Sequence, residues 1–236
     1  SLMLIVTSRG IMDSTEAIIG SLVRTMFRED LRVDFIGFRP DSEVARVREW
    51  PGVVWAEGEL ALPMPFARAG RTYDALGVGL PRRHPLRALV DAGGSSIEPS
   101  ELGGVFGPTL RLRLGLEVGD VLRMELPKSM LRERPRQILV RVAALSDESI
   151  GTMAYFRLED LGRFVRQDLP LASGAITSIR LRTDRVFNGE LRQRLLRLEG
   201  AGSVTASDDL VRMIQDMMAQ SRRFLFILLL FGGGLA

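Results

Sequence analysis

Hydrophobic positions recur with helical spacing at both ends of the chain and alternate with period two through much of its middle. Between residues 11 and 27, Ile11, Ile18, Ile19, Leu22, Val23 and Met26 fall along one side of a helix. Asp13 and Ser14 stand where they can cap it or fill its first turns. Near the other end, Leu210, Ile214, Met217, Ser221, Phe224 and Leu228 step by four, three, four, three and four residues. That is a heptad seam, suited to a helix that pairs along its length. Ser207 is a good N-cap for this second helix, and Asp208 and Asp209 follow where its dipole favours acid. The spacing therefore predicts two stalk helices lying against each other, with Ile18, Leu22 and Met26 of the first facing Leu210, Ile214 and Met217 of the second.

The middle reads as mixed α/β. A strand at 31–38, a helix at 40–50 and a turn with a second strand at 51–66 make one β-α-β unit. The order returns late in the chain, with a strand at 176–183, a helix at 185–200 and a short strand at 201–207. Two related units able to pair side by side are expected. Between them come a strand at 71–80, a turn-rich stretch at 81–104 with one short helix near Leu86–Val90, and a helix from 108 ended by Gly115. A Gly119-Asp120 turn, strands near 121–127 and 136–145, an exposed tip at 128–135 and a helix at 155–167 complete the inserted pieces. The expected fold class is α/β in the α+β sense: an extracytoplasmic body built from two β-α-β units and an inserted lobe, flanked by two long stalk helices.

The ends sharpen this picture. Residues 224–236 are uncharged and almost wholly apolar, but thirteen residues are fewer than the roughly 20 that span a bilayer as a helix. The apolar start, SLMLIV, lacks the charged region and cleavage site of a secretory signal. Arg222 and Arg223 precede the final apolar run, where long cationic side chains can reach the interfacial layer. The expected division is 1–29 as the end of a first membrane helix with its stalk, 30–206 as the body, and 207–236 as the second stalk and the start of the next membrane helix. Residues from about 11 to 223 would then lie outside the cytoplasm, anchored at the cell membrane. A soluble domain that packs its own apolar terminal helix is the competing reading.

Composition narrows the chemistry. The 236 residues contain no cysteine, which removes disulfides, thiolate metal sites and cysteine nucleophiles. The net charge is +3 and aromatics are 6% of residues. Arginines are spread along the whole chain and accompanied by acids, so nucleic-acid binding is not expected. His84, the sole histidine, sits between prolines in PRRHP and reads as an exposed loop residue. Glycines 93, 94, 103, 104 and 107 lack the lysine and Ser/Thr of a phosphate-binding loop and read as loop glycines. Ser95 and Ser96 have no nucleophile-elbow context, and Glu159 and Asp160 are neighbours on a predicted helix and do not face each other. No catalytic, cofactor or metal residue is assigned. Met213, Met217 and Met218 read as helix packing, and Trp50 and Trp55, which flank a Pro-Gly turn, as packing at a core or domain edge.

In order along the chain, IMDSTEAIIGSLVRTMF, VREWPGVVWAEGEL, LRLRLGLEVGDVLRMEL and the closing DDLVRMIQDMMAQSRRFLFILLLFGG resemble the extracytoplasmic core domain of FtsX-like and MacB-like ABC transporter permeases. The resemblance covers essentially the whole chain, with Arg9 a departure at the expected membrane boundary. It implies a domain that couples cytoplasmic ATP hydrolysis to export, to lipoprotein or lipid handling, or to signalling, by mechanical transmission and not by catalysis of its own. It implies as partners a cytoplasmic ATP-binding subunit, a second permease in a homodimer or pseudo-dimer, membrane lipid and an extracytoplasmic accessory protein. The alternative is a membrane-anchored binding or sensor module without transport activity.

Overall fold

The computed structural model describes residues 28–101, 103–126, 137–147, 152–166, 174–209, 212, 213 and 216. The seam residues Ile18, Leu22, Met26, Leu210, Ile214 and Met217, the apolar ends, Met218 and the 128–135 tip lie outside the described residues.

The first unit is β1 (Leu31–Pro40), α1 (Ser42–Arg48) and β2 (Val53–Arg68). The last is β8 (Ala175–Thr183), a 3-10 turn (Arg185–Phe187), α4 (Asn188–Leu196) and β9 (Ala201–Ala206). Their strands interleave in the order β2-β8-β1-β9, every neighbouring pair antiparallel. Each unit is thus a β-α-β whose parallel strands are parted by one strand of the other, the split arrangement of ferredoxin-like folds. The two units do pair side by side, by interdigitation. Helix α1 forms because Val44 and Val47 share a face, Glu43 sits in its first turn, and Arg46 and Arg48 in its last. That face, with Leu191 and Leu195 of α4, closes over Leu31, Val33, Ile179 and Leu181.

Strand β2 does not stop at the sheet. Residues Leu60–Arg68 continue into a hairpin with β3 (Arg71–Leu80), joined through Ala69 and Gly70 at φ +48° and +76°. Positive φ at both turn residues is the geometry of tight two-residue hairpins. The pairings then run β3-β7-β4-β6-β5 and return to β2, closing a barrel. Its other strands are β4 (Gly103–Phe106), β5 (Val121–Glu125), β6 (Gln137–Leu145) and β7 (Met153–Arg157). Helix α2 (Pro108–Leu114) ends at Gly115 in the left-handed conformation, as its sequence predicts, and contributes Leu110 and Leu114 to the barrel core. Helix α3 (Leu158–Arg166) adds Leu161, Phe164 and Val165. Phe66, Phe106 and Phe156 meet at the centre with ring centroids 5.9 to 6.3 Å apart.

Three sequence expectations are corrected here. The expected helix near Leu86–Val90 is irregular chain with a Val90–Ser96 bridge, because Val90 pairs with Ser96 and Leu89 is buried against Val78, Val105 and Tyr155 on the outside of the barrel. Tyr155 and Phe156 belong to β7, and the helix starts only at Leu158, because β7 is paired on both sides by β3 and β4. Gly103 and Gly104 are not loop glycines but half of β4. A β-carbon on Gly104 would lie 2.7 Å from the Phe156 ring, so the barrel closes only where that position lacks a side chain.

Candidate functional site

Along β2, Trp55, Glu57 and Glu59 alternate outward from the helix-covered face; along β8, Ser178, Arg180 and Arg182 do the same. Strand register sets Glu57 and Arg32 on either side of Arg180, and Glu59 and Asp34 on either side of Ser178. This charged face of the sheet is buried: Glu59 is 2% exposed and Arg180 1%. The irregular 81–101 segment reaches it, with the Leu86 amide near Glu57, and the first described residues, 28–30, lie against it.

Arg180 is the hub. Its Nε donates to Glu59 Oε2 at 2.9 Å and its Nη1 to Glu29 Oε1 at 2.7 Å. Arg32 adds a contact to Glu59 at 3.6 Å and pairs with Asp34 at 2.7 Å. Burial opposes charge on Glu59, yet Arg180, Arg87 and Arg32 around it hold its carboxyl below the ordinary value. Glu57 goes the other way. Burial pushes it up to about 7, Glu59 adds to the rise, and the Trp55 indole N–H, the Leu86 amide and Arg180 offset only part of it. Two carboxylates two residues apart are thus pushed in opposite directions by their surroundings.

The same place joins the two ends of the body. The Asp30 amide donates to Leu181 O at 2.7 Å, and Asp30 Oδ2 accepts from the Thr183 amide at 2.8 Å. The Ser207 amide donates to Asp30 O at 3.0 Å, and the Ser207 hydroxyl donates to Glu29 O. Ser207, expected as an N-cap, therefore uses its side chain to fasten the closing segment to the opening one. Asp209, in the first turn beyond it, pairs with Arg192 of α4 at 2.9 Å and with Arg212 at 2.8 Å.

Other residues singled out from sequence are placed as follows. His84 is half-buried, not exposed; burial pushes its imidazole below the ordinary value while Glu98 opposes. Ser95 donates its amide to Asp91 Oδ1, and Ser96 sits in the bridge to Val90. Glu159 pairs with Arg82 at 3.3 Å and Asp160 with Arg163 at 3.3 Å. Trp50 packs on the helix-side core under Arg194, at 4.3 Å, and the Trp55 indole donates to Glu57 at 3.2 Å under Arg48. Met213 is exposed. Among the described residues no cluster of three metal-ligating side chains occurs, and no helix is long and apolar enough to cross a membrane.

Sequence reasoning missed Glu29, Glu57, Glu59 and Arg180. The available signal was charge at period two in opposite signs, E-x-E in the strand of one unit and R-x-R in the strand of the other. Such alternation ordinarily marks a solvated face.

No family model and no curated protein matches the chain. Two solved structures share its architecture. The extracellular domain of the noncanonic ABC-type transporter YknZ from Gram-positive bacteria aligns over 75% of this chain and 98% of its own, with a TM-score of 0.52 and 9% identity. The periplasmic region of MacB from Actinobacillus actinomycetemcomitans aligns over 82% of this chain and 95% of its own, with a TM-score of 0.54 and 12% identity. The fold is MacB-like. Within this fold the interleaved sheet and the barrel share β2, and the ion-paired junction lies where the chain enters and leaves the sheet.

Proposed function

We propose that the chain is the extracytoplasmic domain of an ABC transporter permease, with 1–29 and 207–236 as stalks and membrane ends and 30–206 as the body. A cytoplasmic ATP-binding subunit hydrolyses ATP, and the body turns stalk displacement into export, lipoprotein or lipid handling, or signalling. A second permease copy and membrane lipid surround it, with an accessory protein on the outer side. The observation that carries this reading is the junction of Glu29 and Asp30 with Ser207 and Arg180. The proposed stalks, one ending at Glu29 and one starting at Ser207, would be tied to each other and to the central strand β8, so that displacement of either is delivered to the sheet and, through β2, to the barrel.

The test uses the full-length protein in its own membrane. Affinity isolation is expected to bring down an ATP-hydrolysing subunit; its absence would favour the sensor module. Glu29→Gln should preserve ATP hydrolysis and lower the output per ATP hydrolysed, since a neutral amide cannot keep the charge-assisted pair to Arg180. Unchanged output would sink the mechanical role of this joint. Because the chain has no cysteine, paired cysteines at Leu22 and Ile214 report cleanly on the proposed stalk seam. They should form a cross-link that is absent when Leu22 is paired with a cysteine on the opposite side of the second helix.

A further inference from the structure

The segment between β3 and β4 places Arg82, Arg83, His84 and Arg87 within six residues, against Trp55 of β2 and Arg28 at the entry to the body. They line an open groove of about 370 Å³, within the size range of small-ligand sites. An adjoining hollow of about 260 Å³ shares Arg82, His84 and Glu98 and is walled by Arg157. The larger groove carries four guanidinium groups, of Arg28, Arg82, Arg83 and Arg87, against one carboxylate, Glu98.

These arginines are not equivalent. Arg82 is engaged at the rim by Glu159. Arg87 is buried and held in place by the Tyr155 hydroxyl and by the Tyr155 ring, 5.2 Å from its centroid. Arg28 and Arg83 make no ion pair with any described residue. His84 lines both hollows, and its Nε2 is buried with no hydrogen-bond partner among the described residues. One wall is apolar, formed by Trp55, Pro85, Ala88 and Ile97. Glu159 at Arg82 and Glu59 near Arg87 offset part of this charge, leaving the exposed Arg28 and Arg83, whose planar guanidinium forks match an oxyanion through two parallel hydrogen bonds. The aromatic and aliphatic wall suits an apolar chain beside that headgroup.

We propose that this groove binds an anionic amphiphile, with an oxyanion headgroup, phosphate or carboxylate, at Arg28, Arg83 and Arg87 and the apolar part along Trp55, Pro85 and Ile97. The inference rests on the groove and stands apart from the transport reading.

Trp55 is the reporter, because the chain has two tryptophans and Trp50→Phe leaves only the one in the groove. Octyl phosphate added to the full chain carrying that substitution should shift Trp55 emission and saturate. Inorganic phosphate should bind at least tenfold more weakly, and octyl glucoside should give no saturable response. Arg28→Glu with Arg83→Glu, both exposed positions, should weaken octyl phosphate at least tenfold with the melting temperature unchanged. Arg197→Glu, exposed at the end of α4, should leave it intact. Equal responses to octyl phosphate and octyl glucoside, or unchanged affinity in the double variant, would overturn the proposal. Co-sedimentation with phosphatidylglycerol vesicles that the double variant loses would assign the headgroup to a bilayer lipid. Octyl phosphate binding without arginine-dependent sedimentation would assign it to a free amphiphile.

Discussion

Inside the barrel the buried contacts are between hydrocarbons, Phe66, Phe106 and Phe156 meeting edge to face and stacked among leucines and methionines. On the far face of the interleaved sheet, Arg180 is buried as completely, but between the carboxylates of Glu29 and Glu59. The first environment is non-directional and holds together as long as volume is filled. The second depends on partners being present, since a buried charge stripped of its counter-charge pays its full desolvation cost. The barrel core therefore tolerates changes that keep its volume, and the sheet face is where a change in one residue is felt by its neighbours across three strands and the chain ends.

The sharpest way to break this contrast is Arg180→Met. It leaves Glu29 buried without its counter-charge and Glu59 with only the longer contact to Arg32, and should cost about 3–5 kcal/mol in chemical denaturation. The triple variant Glu29→Met, Glu59→Leu, Arg180→Met should recover most of that loss, because whole buried ion clusters can be replaced by hydrocarbon at little net cost. No recovery would mean that the charges do more than satisfy one another.

In the barrel, Phe106→Ala should cost about 3–4 kcal/mol through lost burial and the cavity left behind, whereas Phe106→Leu should cost about half as much. Equal costs for the two would show that the aromatic cluster tolerates no change of shape and would blur the distinction.

Glu57 sharpens the comparison through pH. Its folded value of about 7 lies above the ordinary 4.5, so its contribution to stability is fully present below pH 4.5 and is lost as pH rises through 7. Glu57→Gln removes this titration. Relative to the parent, the variant should gain on the order of 2 kcal/mol between pH 4 and pH 8, less than the full shift because relaxation around a buried charge lowers its cost. A pH-independent difference would remove Glu57 as a titrating group of the sheet face. Smallest of all, Ser207→Ala should cost about 1 kcal/mol by deleting the hydrogen bond to Glu29 O. Its effect should be lost in a Glu29-to-Arg180 broken background if the two contacts form one joint.

Much of the architecture is legible from local pattern. Strand β3 runs over Arg71–Leu80 as the alternation predicts, and α2 ends where Gly115 follows its last buried leucine. Both β-α-β units are visible because each element carries its own period: 2 in β1 and β8, and 3 to 4 in α1 and α4. What misled the reading were residues whose period is shared by two structures. Phe156, Leu161, Phe164 and Val165 fit one helical face, yet Phe156 faces the barrel core from a strand. Gly103 and Gly104 look like loop because a glycine-rich strand has no side-chain alternation to betray it.

Most of the order of elements, the two units, the absence of thiol chemistry and the apolar composition of the ends were determined by the sequence itself, because each depends on residues near one another along the chain. Only the tertiary structure decided that β8 inserts between β1 and β2, that β2 extends to close a barrel, and that E-x-E and R-x-R meet in a buried cluster and not at a solvated surface. Those outcomes depend on contacts such as Arg180 with Glu29, 151 residues apart, and on the 81–101 segment reaching a face whose charges would otherwise meet water. Alternation tells which side chains share a face of a strand; what reaches that face is set by the rest of the chain.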